Sequence, residues 1–287
     1  MRVGICILPD LPWAQSRPLW LRAEEMGFAH AWTYDHLVWG SLPDSRWFSC
    51  IPTLTAVAAL TSRLRLGTFV VSPNFRHPVA FSREVQTLVD ISDGRLLLGL
   101  GAGGTPDDTL LGGDRLPARE RVDRLQEFTT LLAATLREDH VSADGHYFQA
   151  RNMRLVGGSI RDRVPLLLAG NGPRSVRFAA RYGDGWITTG SPAGSVDGWL
   201  RGIRTSCSVL NETLAEEGRG TFPRYLSIDS APGCTLASVA HFDDLVGRAG
   251  ELGFTDVIVH WPRTEEPYRG SLAVLDALAA RGFTAGD

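Results

Sequence analysis

The sequence predicts an α/β protein built as a single (β/α)8 barrel, and three observations predict it. Eight short apolar runs of strand length are spaced along the chain, each is followed by a helix-like stretch, and the runs are apolar at nearly every position rather than at alternate ones. Near-continuous apolar strands belong to parallel sheets covered by helices. A doubly wound open sheet shares these features; the count of eight strand–helix pairs favours closure.

The strands are expected at residues 3–8, 30–34, 64–71, 96–100, 165–169, 185–189, 224–229 and 255–260, each rich in Val, Ile, Leu or aromatics. The helices are expected over 16–26, 51–61, 79–91, 118–137, 173–182, 196–217, 240–252 and 271–280. The fourth has the clearest stripe, with Leu125, Phe128, Leu131, Leu132 and Leu136 at helical spacing. Gly27, Gly94, Gly183, Gly253 and Gly282 sit where a helix end takes a left-handed cap. Two stretches carry neither pattern. Residues 35–50 follow the second strand, and 139–164 read as an inserted hairpin or an excursion over the barrel mouth. No linker, repeat or low-complexity tract divides residues 1–287, so one domain with an insertion after the fourth helix is expected.

Composition narrows the function. The 29 basic residues are all arginine and face 32 acidic ones, for a net charge of -3. That balance excludes a nucleic-acid binder working through bulk positive charge. Without lysine there is no Schiff-base chemistry, no pyridoxal phosphate anchor and no phosphate-loop lysine. Cys6, Cys50, Cys207 and Cys234 show neither metal nor redox spacing, and no His/Asp/Glu set does either, so no metal is expected. No segment approaches the ~20 apolar residues that cross a bilayer, and MRVGICILPD lacks the apolar core of a signal peptide. A cytoplasmic protein that engages no membrane is expected.

Barrels of this kind keep their chemistry at the carboxyl ends of the strands. The second strand ends in Asp35-His36; a histidine can take or give a proton near neutral pH, and an adjacent carboxylate can orient it. Gly101, Ala102 and Gly103 follow the fourth strand, and Gly170, Asn171 and Gly172 follow the fifth, directly before a helix that Pro173 can open. Backbone N–H groups in such loops hold anions without lysine, although glycines also simply make tight turns. GLGAG is not the dinucleotide fingerprint, because its third glycine is misplaced. Trp39, Trp47, Phe48, Phe75 and Trp261 suit a flat apolar pocket for a planar ring and a small-molecule substrate. His260 fits structure and function equally, Arg76 suits a carboxylate or an anionic tail, and His30, His140, His146 and His241 read as ordinary.

The segment LRLGTFVVSPNFRHPVAFSREVQTLVDISDGRLLLGLGAG resembles the luciferase-like flavin-dependent oxidoreductases, the superfamily of the bacterial luciferase-like monooxygenases. TYDHL, PLLLAGNGPRSVRFAARYGDGWIT and VIVHWPR are similar to three further strand regions of that superfamily, in the same order. The resemblance implies a TIM barrel that binds a flavin or coenzyme F420 at its carboxyl face. By position it makes His36 the proton-handling histidine beside Asp35, Phe69 and Val70 the pair joined by a cis peptide behind the ring, and Ser72 a ring-contacting hydroxyl. The two glycine loops would hug the ring, ribityl chain and phosphate. Gly104 stands where some F420-using relatives carry an acid, so Asp107 or Asp108 would have to substitute. Larger luciferase insertions are lacking, so light emission is not expected. The resemblance implies F420-dependent hydride transfer first. Alternatives are a monooxygenase using reduced FMN, which would need a separate reductase, and a non-catalytic flavin-binding barrel. A homodimer is implied on the same ground.

Overall fold

Residues 1–113 and 115–283 are described by a computed structural model. The chain begins β1 (Arg2–Cys6), α1 (Trp13–Glu25), β2 (His30–Thr33), α2 (Cys50–Ala58), β3 (Arg65–Thr68), α3 (Pro78–Ile91), β4 (Leu96–Leu100), α4 (Thr105–Leu110) and α5 (Ala118–Arg137). A hairpin of β5 (Val141–Asp144) and β6 (Gln149–Met153) follows. The remainder is β7 (Leu166–Ala169), α6 (Pro173–Tyr182), β8 (Gly185–Thr188), α7 (Val196–Glu216), β9 (Arg224–Ser227), α8 (Val239–Glu251), β10 (Asp256–His260) and α9 (Leu272–Ala280).

Eight of these strands close a parallel barrel in the order β1-β10-β9-β8-β7-β4-β3-β2, so the expected (β/α)8 fold is the one formed. Side chains alternate across each strand. Cys6, Trp32, Leu97, Leu167, Ile187, Tyr225 and Ile258 fill the interior, while Ile5, Ala31, Leu66, Leu98, Leu168 and Val259 pack under the helices. Gly67 is required by its neighbour, because a Cβ there would stand 2.0 Å from the Trp32 ring. Among the helix-ending glycines, Gly27 and Gly253 take φ of +82° and +83°, but Gly183 has a φ of -86° and no left-handed cap.

The amino-terminal end of the barrel is sealed by a buried polar group. Trp32 Nε1 donates to His30 Nδ1 at 2.6 Å, and His30 Nε2 lies 2.9 Å from Asp256 Oδ1. With Nδ1 accepting, Nε2 carries the hydrogen and the ring is neutral. Arg2 grips the same carboxylate through two bonds of 2.8 Å. His30, expected to be ordinary, thus anchors β2 to β10 far from the mouth.

The insertion runs along the outside of the barrel. Glu127 on α5 accepts from the amides of His146, Tyr147 and Phe148, and Arg83 on α3 reaches the carbonyls of Arg154 and Leu155. Phe148 packs on Phe128 and His77. Of the two alternatives expected for this stretch, the hairpin is the one formed and not an excursion over the mouth, because the apolar Phe148 finds its burial against α3 and α5. Among the described residues, no helix is long and apolar enough to cross a membrane.

Candidate active site

A cleft of about 1080 Å³ opens at the carboxyl ends of the strands, the size of a site for a large cofactor with its substrate. Tyr34, His36 and Trp39 beyond β2, Phe69, Val70 and Ser72 beyond β3, and Tyr268 beyond β10 form its aromatic end. Gly101 to Gly104, Gly170 to Gly172, Thr188 and Thr189 form its floor and far wall, and Arg119, Arg121 and Arg174 its basic end.

Alternation explains the end of β2. Trp32 and Tyr34 point inward, Asp35 points outward, and His36 returns to the cleft. Asp35 is therefore not the partner of His36. Its two carboxylate oxygens accept from Arg76 at 2.8 and 2.9 Å, and Arg76 also bonds Glu84 at 2.7 Å. Arg76 is accordingly a partly buried structural partner between β2 and α3, and it does not line the cleft.

The carboxylate that does meet His36 is Asp107 on α4, with Oδ2 2.8 Å from Nδ1. Its other oxygen accepts from the Leu37 and Val38 amides at 2.8 and 3.4 Å. Asp107 is fully buried, so its charge is compensated by these three donors. The bond leaves Nε2 of His36 available to the cleft. Neighbouring Asp108 instead faces Arg124 at 3.1 Å.

The Phe69–Val70 peptide is cis, and Val70 projects between strands 3 and 4: a Cβ on Gly101 would meet its Cγ2 at 2.5 Å. Gly103 takes a φ of +76° beneath Asn74, where an added Cβ would stand 2.1 Å from Oδ1. Asn74 Nδ2 donates to the Gly104 carbonyl at 2.6 Å and Arg121 to that of Gly103 at 2.9 Å, so this loop is pinned from both sides. Ser72 is buried, lines the cleft, and its Oγ has no partner within the protein. A buried hydroxyl without a partner is costly, and a polar group in the cleft would satisfy it. Asn171 is held by Thr188 Oγ1 at 2.7 Å and Thr189 Oγ1 at 2.9 Å.

The expected aromatic pocket forms only in part. Trp39 lines the cleft and stacks on Tyr268 with centroids 5.7 Å apart, while Trp47 supports Trp39 from behind at 5.9 Å. Phe75 lies past the turn, under Arg76 at 5.3 Å, and half-exposed Phe48 sits at a separate small hollow beside Trp13. Trp261 follows inward-facing His260 and so points outward, into the helical layer beside Arg22. Tyr34, Thr188, Thr189 and Tyr268 were not anticipated, and Asp107, expected as a substitute for the acid missing at Gly104, is instead the partner of His36. The inward register of Trp32 would have found Tyr34; Tyr268, in a loop, gives no such signal.

Such a cleft at the mouth of a closed barrel, with a positioned histidine and glycine strand ends, has the make-up of a barrel enzyme's active site. The chain belongs to the luciferase-like monooxygenase family, whose model matches residues 1–219. It is 30% identical, over 92% of its length and 83% of the relative's, to an F420-dependent glucose-6-phosphate dehydrogenase of Kineococcus radiotolerans. An F420-dependent hydroxymycolic acid dehydrogenase of Mycobacterium tuberculosis is 35% identical over 58% of this chain and 46% of its own. The chain thus aligns with about half the length of several such relatives. In fold it matches an F420-dependent secondary alcohol dehydrogenase solved with an F420-acetone adduct, with a TM-score of 0.79 at 17% identity over 90% of this chain and 92% of that one. The F420-dependent tetrahydromethanopterin reductase of Methanopyrus kandleri gives 0.72 at 18% identity, over 91% and 93%.

Proposed function

We propose that this chain is an F420-dependent oxidoreductase that moves a hydride between the cofactor and a small organic substrate. The observation that carries the reading is the cleft: an unpartnered Ser72 hydroxyl, Gly101, Gly103 and Gly170 with no room for a Cβ, and a histidine fixed by a buried carboxylate all face one cavity. The F420-dependent relatives favour this cofactor over FMN.

When bound, F420 supplies a two-electron hydride carrier, which a flavin-type cofactor performs without protein nucleophiles. Phe69, Val70 and Ser72 would hold its ring, and Gly101, Ala102, Gly103, Gly170, Asn171 and Gly172 its chain and phosphate. Asp107 keeps the hydrogen of His36 on Nδ1, so Nε2 takes or gives the proton that accompanies hydride transfer. Asp35 acts from behind, through Arg76, by fixing the strand end that carries His36. Trp39, backed by Trp47, closes the substrate side. The same resemblance supports a cytoplasmic homodimer.

The second reading, a reduced-FMN monooxygenase supplied by a separate reductase, is favoured by the family's description and by fold likeness to a Streptomyces bottropensis monooxygenase, with a TM-score of 0.68 at 23% identity, over 88% of this chain and 77% of that one. Turnover under strict anaerobiosis decides. Product formed without oxygen supports hydride transfer, and an absolute oxygen requirement supports the monooxygenase.

A further inference from the structure

We propose that Asp229, His260, Tyr34 and Tyr268 form a proton relay that ends on the cleft and is separate from the His36–Asp107 pair; it rests on the hydride-transfer reading above. Asp229 Oδ2 stands 3.0 Å from His260 Nδ1 and also accepts the His260 backbone N–H. A carboxylate has no hydrogen to give, so Nδ1 carries it and Nε2 is an acceptor. The Tyr34 hydroxyl, 2.9 Å from Nε2, is then the donor. With its one hydrogen committed, its oxygen accepts from the Tyr268 hydroxyl at 2.7 Å. Every hydrogen along the chain is directed from the cleft toward Asp229. The Tyr268 ring lies flat on His260, centroids 3.5 Å apart and planes within 5°, which fixes the loop end of the chain.

Burial raises both phenols above their ordinary value, so they remain hydroxyls that pass protons rather than store charge. A network serving only stability has no need to reach the cleft, yet Tyr34 and Tyr268 both line it beside His36 and Phe69. The other titratable groups facing the chain are Cys6 in the barrel interior and His36, whose ring lies 6.0 Å from Tyr34.

For a substrate alcohol the balance is as follows. Its C–H bond breaks and the electron pair leaves as hydride to bound F420, which is reduced, while its O–H bond breaks and a carbonyl forms. The hydroxyl proton passes to the Tyr268 oxygen, the Tyr268 proton to Tyr34, and the Tyr34 proton to His260 Nε2. Both phenols end neutral, and an imidazolium faces the Asp229 carboxylate. The alcohol releases only this one proton, so His36 Nε2 would serve the proton that reduced F420 takes up along with the hydride.

The test uses the full chain with F420 and two hydride donors, glucose 6-phosphate and 2-propanol. In histidine-labelled protein, 15N NMR is expected to show His260 Nε2 as an acceptor, and both Tyr34→Phe and Tyr268→Phe are expected to shift it. Single-turnover hydride transfer in Tyr268→Phe and His260→Gln is expected to slow by ~10²–10⁴-fold and to lose one limb of its pH profile. The Kd for F420 is expected to stay within about 3-fold, less than 1 kcal/mol. If His260→Gln fails to fold, Tyr268→Phe, which removes one oxygen, gives the same reading. An NMR signal indifferent to Tyr268→Phe overturns the relay, as do variants that melt earlier but keep the wild-type rate and pH profile. Wild-type protein that binds no F420, or turns over with neither donor, overturns the hydride-transfer reading, and the relay's role falls with it.

Discussion

Asp107 holds the Nδ1 edge of His36 at 2.8 Å from a position 71 residues further along the chain. Every other bond to that carboxylate comes from the backbone amides just beyond His36, so α4 and the end of β2 form one unit. Asp107→Asn keeps the shape but can present an amide N–H where the acceptor was. The expected result is F420 affinity near wild type with turnover reduced by ~10²-fold; His36→Ala is expected to lose ~10²–10⁴-fold. Steady-state kinetics beside a binding titration checks both, and unchanged turnover in either variant would remove His36 from the chemistry.

Arg76→Ala tests the reassignment of Asp35. It leaves a carboxylate that is 2% exposed without its main partner, and breaking a buried pair costs about 3–5 kcal/mol. Urea denaturation is expected to show that loss while cofactor affinity in the remaining folded protein stays unchanged. Weakened cofactor binding at full stability would instead return Arg76 to the anionic tail.

Ser72→Ala removes a buried hydroxyl that bonds nothing in the protein. Stability is expected to hold or rise, while F420 binding weakens by about 0.5–1.5 kcal/mol, the net value of one hydrogen bond. Isothermal titration and thermal melting read the two effects separately; full affinity in the variant would place the ring elsewhere.

The amino-terminal network sets the response to acid. Burial works against the Asp256 carboxylate, but bonds from His30, Arg2 and Thr255 prevail and hold it at about 2. Burial lowers His30 despite the pull of Asp256. Both folded values lie below the unfolded ones, so the unfolded chain binds more protons and stability declines as pH falls. The decline is expected to begin below pH ~6.5 through His30 and to continue from ~4 to ~2 through Asp256, which alone accounts for about 2 kcal/mol. Urea melts from pH 7 to pH 3 check the slope. His30→Gln is expected to be less stable at pH 7 but to lose the part of the slope above pH 5; an unaltered slope would contradict the assignment.

Much of this architecture was legible in the chain, because apolar runs and helical stripes record burial directly. Leu125 through Leu136 declare α5, and eight such pairs declare the barrel. The site was legible where it depends on local order: His36, Ser72 and the glycine loops fall at strand ends. It was not legible where partners come from elsewhere. Asp35 sits next to His36 in sequence, yet strand alternation turns it outward to Arg76. Trp261 fails as a pocket residue for the same reason. Asp107 rides on a six-residue helix too short for a periodic signal, and Tyr268 on an irregular loop. Cys6 and Asp229, separated by most of the chain, approach the same two phenols only because β1, β9 and β10 are neighbours in the closed sheet.

The most direct measurement is equilibrium binding of the purified protein to F420 and to FMN, each oxidised and reduced. Tight F420 binding with weak FMN binding is the predicted result, weakened by Ser72→Ala and preserved in Arg76→Ala. Preference for reduced FMN would contradict the deazaflavin assignment, and binding of neither would contradict the cleft as a cofactor site.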